Sequence, residues 1–107
     1  MTANAGYVVG TGSSSSQRVK KIGSKASIAA TYVQLENDSF ACGVFIVNDL
    51  ASTTMFVAVG DSAPADDAGS IDLAAGGSVY LHSVVPSRVW LKRSGASSCT
   101  ARYITYV

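Results

Sequence analysis

From Ser27 to Val107 the chain alternates between apolar and polar residues with a period of two, and no other feature constrains its fold as strongly. Successive side chains of a β-strand point to opposite faces of a sheet, so this alternation is typical of strands with one buried face. Glycine, serine and aspartate interrupt the pattern at short intervals, and these residues favour turns. The same interruptions break every candidate helical stripe. The sequence therefore predicts an all-β domain.

The alternating segments are short and numerous enough to form two layers. About seven or eight antiparallel strands of this length close into a β-sandwich or a jelly-roll-like small barrel. Val44 to Val47 and Met55 to Val59 are apolar on both faces, which predicts central strands covered on both sides. The predicted strands are Ile28 to Leu35, Cys42 to Asn48, Met55 to Val59, Ser70 to Leu73, Val79 to Val84, Arg88 to Lys92 and Cys99 to Tyr106, with a weaker one at Tyr7 to Val9.

The beginning of the chain departs from this pattern, and we interpret residues 1–25 as a flexible N-terminal arm and residues 26–107 as the β-sandwich domain. The stretch VVGTGSSSSQRVKK, Val8 to Lys21, begins like a dinucleotide-binding loop, but Ser15 replaces the third glycine of that motif. Its glycines and serines offer little apolar area to offset the roughly 1 to 2 kcal/mol that ordering each residue costs. We therefore expect the arm to be ordered only where a neighbouring molecule holds it.

The two flanks of this linker are predicted to bind a partner. The apolar triplet before it can add as a strand to an exposed sheet edge, because main-chain hydrogen bonds need no particular side chains. The basic residues after it can meet the acidic loop of an adjacent subunit, or an acidic coat surface. A tail without any role remains the alternative. The predicted partner-binding residues are Tyr7, Val8, Val9, Arg18, Lys20, Lys21, Asp66, Asp67, Tyr80 and Tyr106.

The low content of charged residues predicts association. They make up only 14% of the chain, against roughly 25% in an average soluble domain. With so little charge the surface must carry apolar area, which tends to be covered by other subunits. We therefore expect a homo-oligomer, with a trimer favoured, rather than a free monomeric enzyme.

The N-terminal residues and the cysteines indicate a reducing compartment. Met1 to Asn4 shows neither the basic nor the apolar region of a secretory signal, and no apolar run reaches transmembrane length. We therefore expect no membrane partner and a protein that stays in the cytoplasm where it is made or leaves it by lysis. Cys42 and Cys99 are too few for a disulfide framework and alternate with apolar neighbours. Both are predicted to be buried, reduced thiols.

Catalysis and cofactor binding are not predicted. His82 is followed by Ser83, and neighbouring strand residues point to opposite faces, so the two cannot form a catalytic pair. The acidic loop Asp61 to Gly69 offers oxygen ligands for calcium, but without EF-hand spacing a solvated loop is the favoured interpretation. The net charge of +1 and the acidic middle of the chain disfavour nucleic acid as a partner.

Aromatic residues near the C-terminus leave a carbohydrate site open as a hypothesis. Trp90 or Tyr80, with arginines nearby, has the ingredients of a platform on which sugar rings stack. The simpler interpretation places Trp90 in the core and the tyrosines at an interface.

A fixed order of motifs extends from Ser27 to Val107. SIAATYVQLE is followed by a strand ending in asparagine (CGVFIVND), a strand ending in Gly-Asp (TMFVAVGD), a glycine turn after an apolar residue (IDLAAGGSVYL), VWLKRSG and a final alternating strand (CTARYITYV). This layout resembles small virion proteins of tailed bacteriophages. The resemblance implies a β-sandwich that decorates the capsid, joins head to tail or belongs to a tail appendage.

The resemblance and the composition together predict a non-enzymatic structural protein of the virion, made in the host cytoplasm. We expect a capsid decoration or cement protein whose partners are its own copies and the major capsid protein or another virion protein. A head-tail connector or tail-appendage component is the alternative within this class. From another class, a carbohydrate-binding module for host recognition remains open, and exposure of Trp90 would favour it.

Overall fold

Strands make up most of the chain that the structure describes, a computed structural model of residues 17–49, 53–95 and 97–107. Within these ranges a short 3-10 helix spans Pro86–Arg88, and no helix is long and apolar enough to cross a membrane. The strands are β1 (Val19–Ile28), β2 (Val33–Gln34), β3 (Gly43–Asn48), β4 (Met55–Val59), β5 (Ile71–Leu73), β6 (Ser78–His82), β7 (Val89–Arg93) and β8 (Cys99–Tyr106).

These strands form two antiparallel sheets of four. The order is β1-β8-β3-β6 in the first sheet and β2-β7-β4-β5 in the second. The outermost strands in the sequence pair with each other and the next ones follow inward, so that β1 pairs with β8, β2 with β7, β3 with β6 and β4 with β5. This is the strand order of a jelly roll, in which a long antiparallel hairpin is rolled into two facing sheets. The predicted all-β sandwich is therefore confirmed.

The apolar core lies between the two sheets. In β8, alternate residues from Cys99 to Thr105 point inward and are buried, while the residues between them point outward. Burial of one side chain the size of leucine contributes about 1.5 to 3 kcal/mol, so this layer is the main source of stability. The core residues are Ile28, Leu35, Val44, Ile46, Met55, Val57, Leu73, Leu81, Val89, Leu91, Cys99, Ala101 and Tyr103.

A buried asparagine at the end of β3 connects three loops. The side chain of Asn48 is fully buried, and its Nδ2 donates hydrogen bonds to the carbonyl oxygens of Thr53 at 2.6 Å and Leu73 at 3.0 Å. Its backbone amide donates to the carbonyl of Gly77 and its own carbonyl accepts from Gly76. Asn48 thus fixes the start of β4, the end of β5 and the turn before β6.

The first described strand lies where the sequence predicted part of an arm. β1 runs from Val19 to Ile28 and pairs with β8, so residues 19–25 belong to the first sheet, not to a segment separate from residues 26–107. The predicted strand Ile28 to Leu35 is wrong over most of its length, because the chain leaves β1 at Ile28 and forms only the two-residue β2. The predicted strand at Tyr7 to Val9 lies outside the described residues.

The two cysteines differ in exposure. Cys99 is buried as predicted, and this burial raises the pKa of its thiol. The burial predicted for Cys42 is wrong, because its side chain is exposed. Gly43, the next residue, has a φ of +143°, which interrupts the alternation that would otherwise place Cys42 on the same face as Val44. Both thiols are free.

Candidate functional site

The outer face of the second sheet is covered by the chain's own acidic loop. The indole Nε1 of Trp90 donates to the carbonyl of Gly60 at 2.9 Å. The ammonium group of Lys92 lies 2.8 Å and 2.9 Å from the carboxylate oxygens of Asp67, which also accepts a hydrogen bond from Tyr32. These contacts hold the loop against β7, so the loop covers part of this face.

The outer face of the first sheet carries an apolar row that crosses all four strands. Ile22 of β1 is opposite Ile104 of β8, which is opposite Phe45 of β3, which is opposite Tyr80 of β6. Ile22 is 75% exposed and Tyr80 41% exposed, while the two residues between them are half-buried. We call these four residues the apolar row. We predicted that Val44 to Val47 would be covered on both sides. The core-facing residues Val44 and Ile46 are buried, but the outward-facing Phe45 and Val47 are only half-buried.

A shallow cavity of about 330 Å³ lies along the apolar row. Ile22, Phe45, Val47, Arg102 and Ile104 contribute side chains to its lining. The guanidinium group of Arg102 donates to Asp49 at 3.3 Å. An apolar floor with a neutralised charge at the rim suits an aliphatic or aromatic side chain of a partner better than it suits an ion.

Two predicted binding residues meet at one end of the apolar row. The rings of Tyr80 and Tyr106 contact edge to face with centroids 5.8 Å apart. The hydroxyl of Tyr80 donates to Oε1 of Gln17, whose Nε2 donates to the carbonyl of Cys42 at 3.0 Å. A Cβ atom at Gly43 would lie only 3.1 Å from Nε2 of Gln17, so the glycine makes room for this amide on the sheet. The first described residue of the chain is therefore held against this face.

The predicted charged residues have partners within the same chain. Lys20 lies 2.6 Å from the carboxylate of Asp38, and Lys21 lies 2.7 Å from that of Glu36. Arg18 pairs through its backbone with Val107.

The two predicted acids lie on the other side of the sandwich. Asp67 bonds to Lys92, and the carboxylate of Asp66 accepts the backbone N–H of Ala68. The structure thus separates the predicted acids from the tyrosine pair, and contacts of these charges between subunits stay a prediction.

One exposed aromatic residue was missed from the sequence. Phe40 is 86% exposed. The turn that presents it is fixed, because the carboxylate of Asp38 accepts the backbone N–H groups of Phe40 and Ala41. An aspartate two residues before an aromatic residue is the signal that could have found it. An exposed aromatic side chain on an ordered turn is suited to anchoring a protein partner.

A buried tyrosine connects the edge of the first sheet to a carboxylate. The hydroxyl of Tyr103 donates to Oε2 of Glu36, which also binds Lys21. Burial raises the pKa of Glu36, but the hydrogen bonds from Lys21 and Tyr103 outweigh this effect and hold the pKa below its ordinary value of 4.5. Burial, reinforced by Glu36, raises the pKa of Tyr103 above its ordinary value of 10.0.

These shifts predict a loss of stability in acid. Because the pKa of Glu36 is lowered in the folded state, its contribution is present above pH 4.5 and is lost as the pH falls through the folded value. Hydrogen bonds from Lys20 and Lys92 lower the pKa values of Asp38 and Asp67 in the same direction. Urea titrations between pH 3 and 7 should show stability decreasing below about pH 4.5. Glu36→Gln should flatten this dependence in part, and an unchanged profile would contradict the assignment.

A sugar-stacking platform and a metal site gain little support from the structure. Trp90 is half-buried and its N–H is already bonded, which leaves less of the ring for stacking on a sugar. Within residues 17–49, 53–95 and 97–107 no group of three or more histidine, cysteine, aspartate or glutamate side chains could hold a metal ion.

Comparison with known proteins finds no matching family model, no matching curated protein and no matching solved structure. A function must therefore be inferred from the fold and its surfaces.

Proposed function

We propose that this protein is a structural component of a tailed-phage virion, a decoration or cement protein that binds the assembled capsid as a homo-oligomer. The observation that carries the proposal is the contrast between the two outer faces of the jelly roll. The second sheet is partly covered by its own loop through Trp90 and Lys92, whereas the apolar row of the first sheet exposes Ile22 and Tyr80 among the described residues. An apolar face of this kind on a chain with few charges marks a surface that is buried in an assembly.

The proposed mechanism is geometric. A rigid sandwich that spans the joint between coat subunits buries its apolar face only in the assembled shell. Binding that exists only in the assembled state lowers the free energy of that state by mass action. Each 100 Å² of apolar area removed from water contributes about 2.5 kcal/mol before the costs of association. The fixed turn at Phe40 adds an anchor whose backbone is already ordered in the free protein.

A homo-oligomer, and most simply a trimer, fits this role. A closed ring presents the same face several times around one axis, so each copy can contact a different coat subunit. The low charge of 14% supports association of the copies themselves. A head-tail connector or tail-appendage protein would use the same surface. Detecting the chain in separated heads or in separated tails distinguishes these locations.

The test compares two variants that add the same charge at different exposed places. Ile22→Asp places a charge in the apolar row, while Ile71→Asp places one at the exposed edge strand of the second sheet, away from the apolar row. Sedimentation equilibrium should show the wild type and Ile71→Asp as oligomers, and Ile22→Asp should associate at least tenfold more weakly. The wild type and Ile71→Asp should co-sediment with empty capsids from the phage that encodes the chain, and Ile22→Asp should bind these capsids more weakly. A wild-type monomer that does not sediment with capsids would refute the proposal.

A further inference from the structure

Residues 1–16 precede the described part of the chain, and that part begins on the apolar face. Gln17 is the first described residue, and its side-chain amide lies over Gly43, bonded to the hydroxyl of Tyr80 and the carbonyl of Cys42. The described part of the chain therefore begins beside the exposed apolar row.

The composition of residues 1–16 matches this face. The segment MTANAGYVVGTGSSSS contains no lysine, arginine, aspartate or glutamate. Placing it on an apolar surface therefore desolvates no side-chain charge. Its largest apolar side chains, Tyr7, Val8 and Val9, have the size and character that suit the cavity beside Phe45 and Ile104.

The length of the segment is sufficient. The stretch from Gln17 back to Val8 can extend over about 30 Å. Four strands spaced about 4.8 Å apart are about 14 Å wide. The triplet can therefore span the width of an apolar row, and it can reach the row of any adjacent copy that lies within about 30 Å of Gln17.

The direction of β1 favours an adjacent copy. Arg18 and Val107 exchange both backbone hydrogen bonds, at 3.1 Å and 2.8 Å, so Gln17 lies beyond the end of β8. A strand extended straight on from β1 would leave its own sheet at this point, so we assign the segment to an adjacent copy.

The free edge of β1 is a poor acceptor for an added strand. It carries Lys20, Lys21 and Lys25, and its register is irregular on both sides of the regular stretch, near Lys20 and near Ser27. Ser27 also has a φ of +57°. Lysines and bulges of this kind protect sheet edges from pairing, so the face is the better site.

We propose that residues 1–16 of one copy bind the apolar row of the next copy, with Tyr7, Val8 and Val9 in the cavity beside Phe45 and Ile104. This exchange deepens the proposed function and rests on its oligomer. It would bury the exposed residues of the apolar row and join the copies through a segment that carries no charged side chains.

The experiment uses the full-length chain with single substitutions. Val8→Asp damages the segment and leaves the face intact, whereas Ile22→Asp damages the face and leaves the segment intact. Ser14→Asp adds the same charge to the segment outside the apolar triplet and is the matched control. Far-ultraviolet circular dichroism establishes that each variant is folded. Sedimentation equilibrium should show Val8→Asp and Ile22→Asp associating at least tenfold more weakly than the wild type, with Ser14→Asp unchanged.

Mixing the two damaged variants decides which copy supplies the segment. The segment of Ile22→Asp can bind the face of Val8→Asp, so an equimolar mixture should form a mixed dimer that neither variant forms alone. Native mass spectrometry identifies this dimer from the mass difference between the variants. A mixture that remains monomeric would overturn the exchange, and so would a Val8→Asp variant that associates like the wild type. Capsid binding is measured separately, so a mixed dimer without capsid binding refutes the virion function and leaves the exchange standing.

Discussion

Asn48→Leu is expected to lower the free energy of unfolding by about 2 to 4 kcal/mol. Leucine has the same number of side-chain heavy atoms as asparagine, but it is bulkier and cannot donate hydrogen bonds. The carbonyl oxygens of Thr53 and Leu73 would each lose a donor inside the protein, where water cannot replace it. Urea denaturation should show a lower midpoint with an unchanged slope.

The matched control is Asn37→Leu, because Asn37 is exposed in the loop after β2. Its stability should stay within about 0.5 kcal/mol of the wild type. Asn48→Asp keeps the shape but presents carboxylate oxygens to the two carbonyls, and it should be at least as destabilising as the leucine variant. If Asn48→Leu unfolds at the wild-type midpoint, these hydrogen bonds do not hold the three loops together.

The strands that the sequence predicted best are those whose pattern is local. Cys99 to Tyr106 agrees with β8 because its residues alternate between a buried and an outer face. Met55 to Val59 agrees with β4 because it is a short apolar run of strand-forming residues. β1 was missed in part, since Val19 to Lys25 is basic and mostly exposed. Its strand conformation depends on pairing with β8, which is about 80 residues away in the sequence. Such long-range pairing leaves no periodic signal in the strand itself.

The residues of the candidate site also divide into those that the sequence could predict and those that depend on the fold. Tyr80 and Tyr106 could be selected from the sequence because exposed tyrosines favour interfaces. Ile22 could not, because its place in the apolar row depends on register with Ile104 and, beyond it, Phe45. A shift of one residue would have turned Ile22 to the other face. Charge pairing was also beyond the sequence, since Lys20 and Lys21 bind acids of the same chain.

Gly23→Val is expected to destabilise the sandwich by about 2 to 4 kcal/mol. A Cβ atom at Gly23 would lie 2.8 Å from both Cζ and the hydroxyl oxygen of Tyr103, closer than van der Waals contact allows. The tyrosine cannot move away cheaply, because it is only 6% exposed and its hydroxyl binds Glu36. Thermal and urea denaturation should both report the loss.

Gly69→Val is the control, since no atom lies within 4 Å of a Cβ atom at that position. It should leave stability nearly unchanged, which separates the clash from the general effect of replacing glycine with valine. Tyr103→Leu removes the ring that blocks the new side chain, so the loss from Gly23→Val should be smaller in that background. A coupling of about 1 to 3 kcal/mol between the two positions is expected. Additive losses would mean that the ring is not what the glycine accommodates, and that Gly23 is required by β1 for another reason.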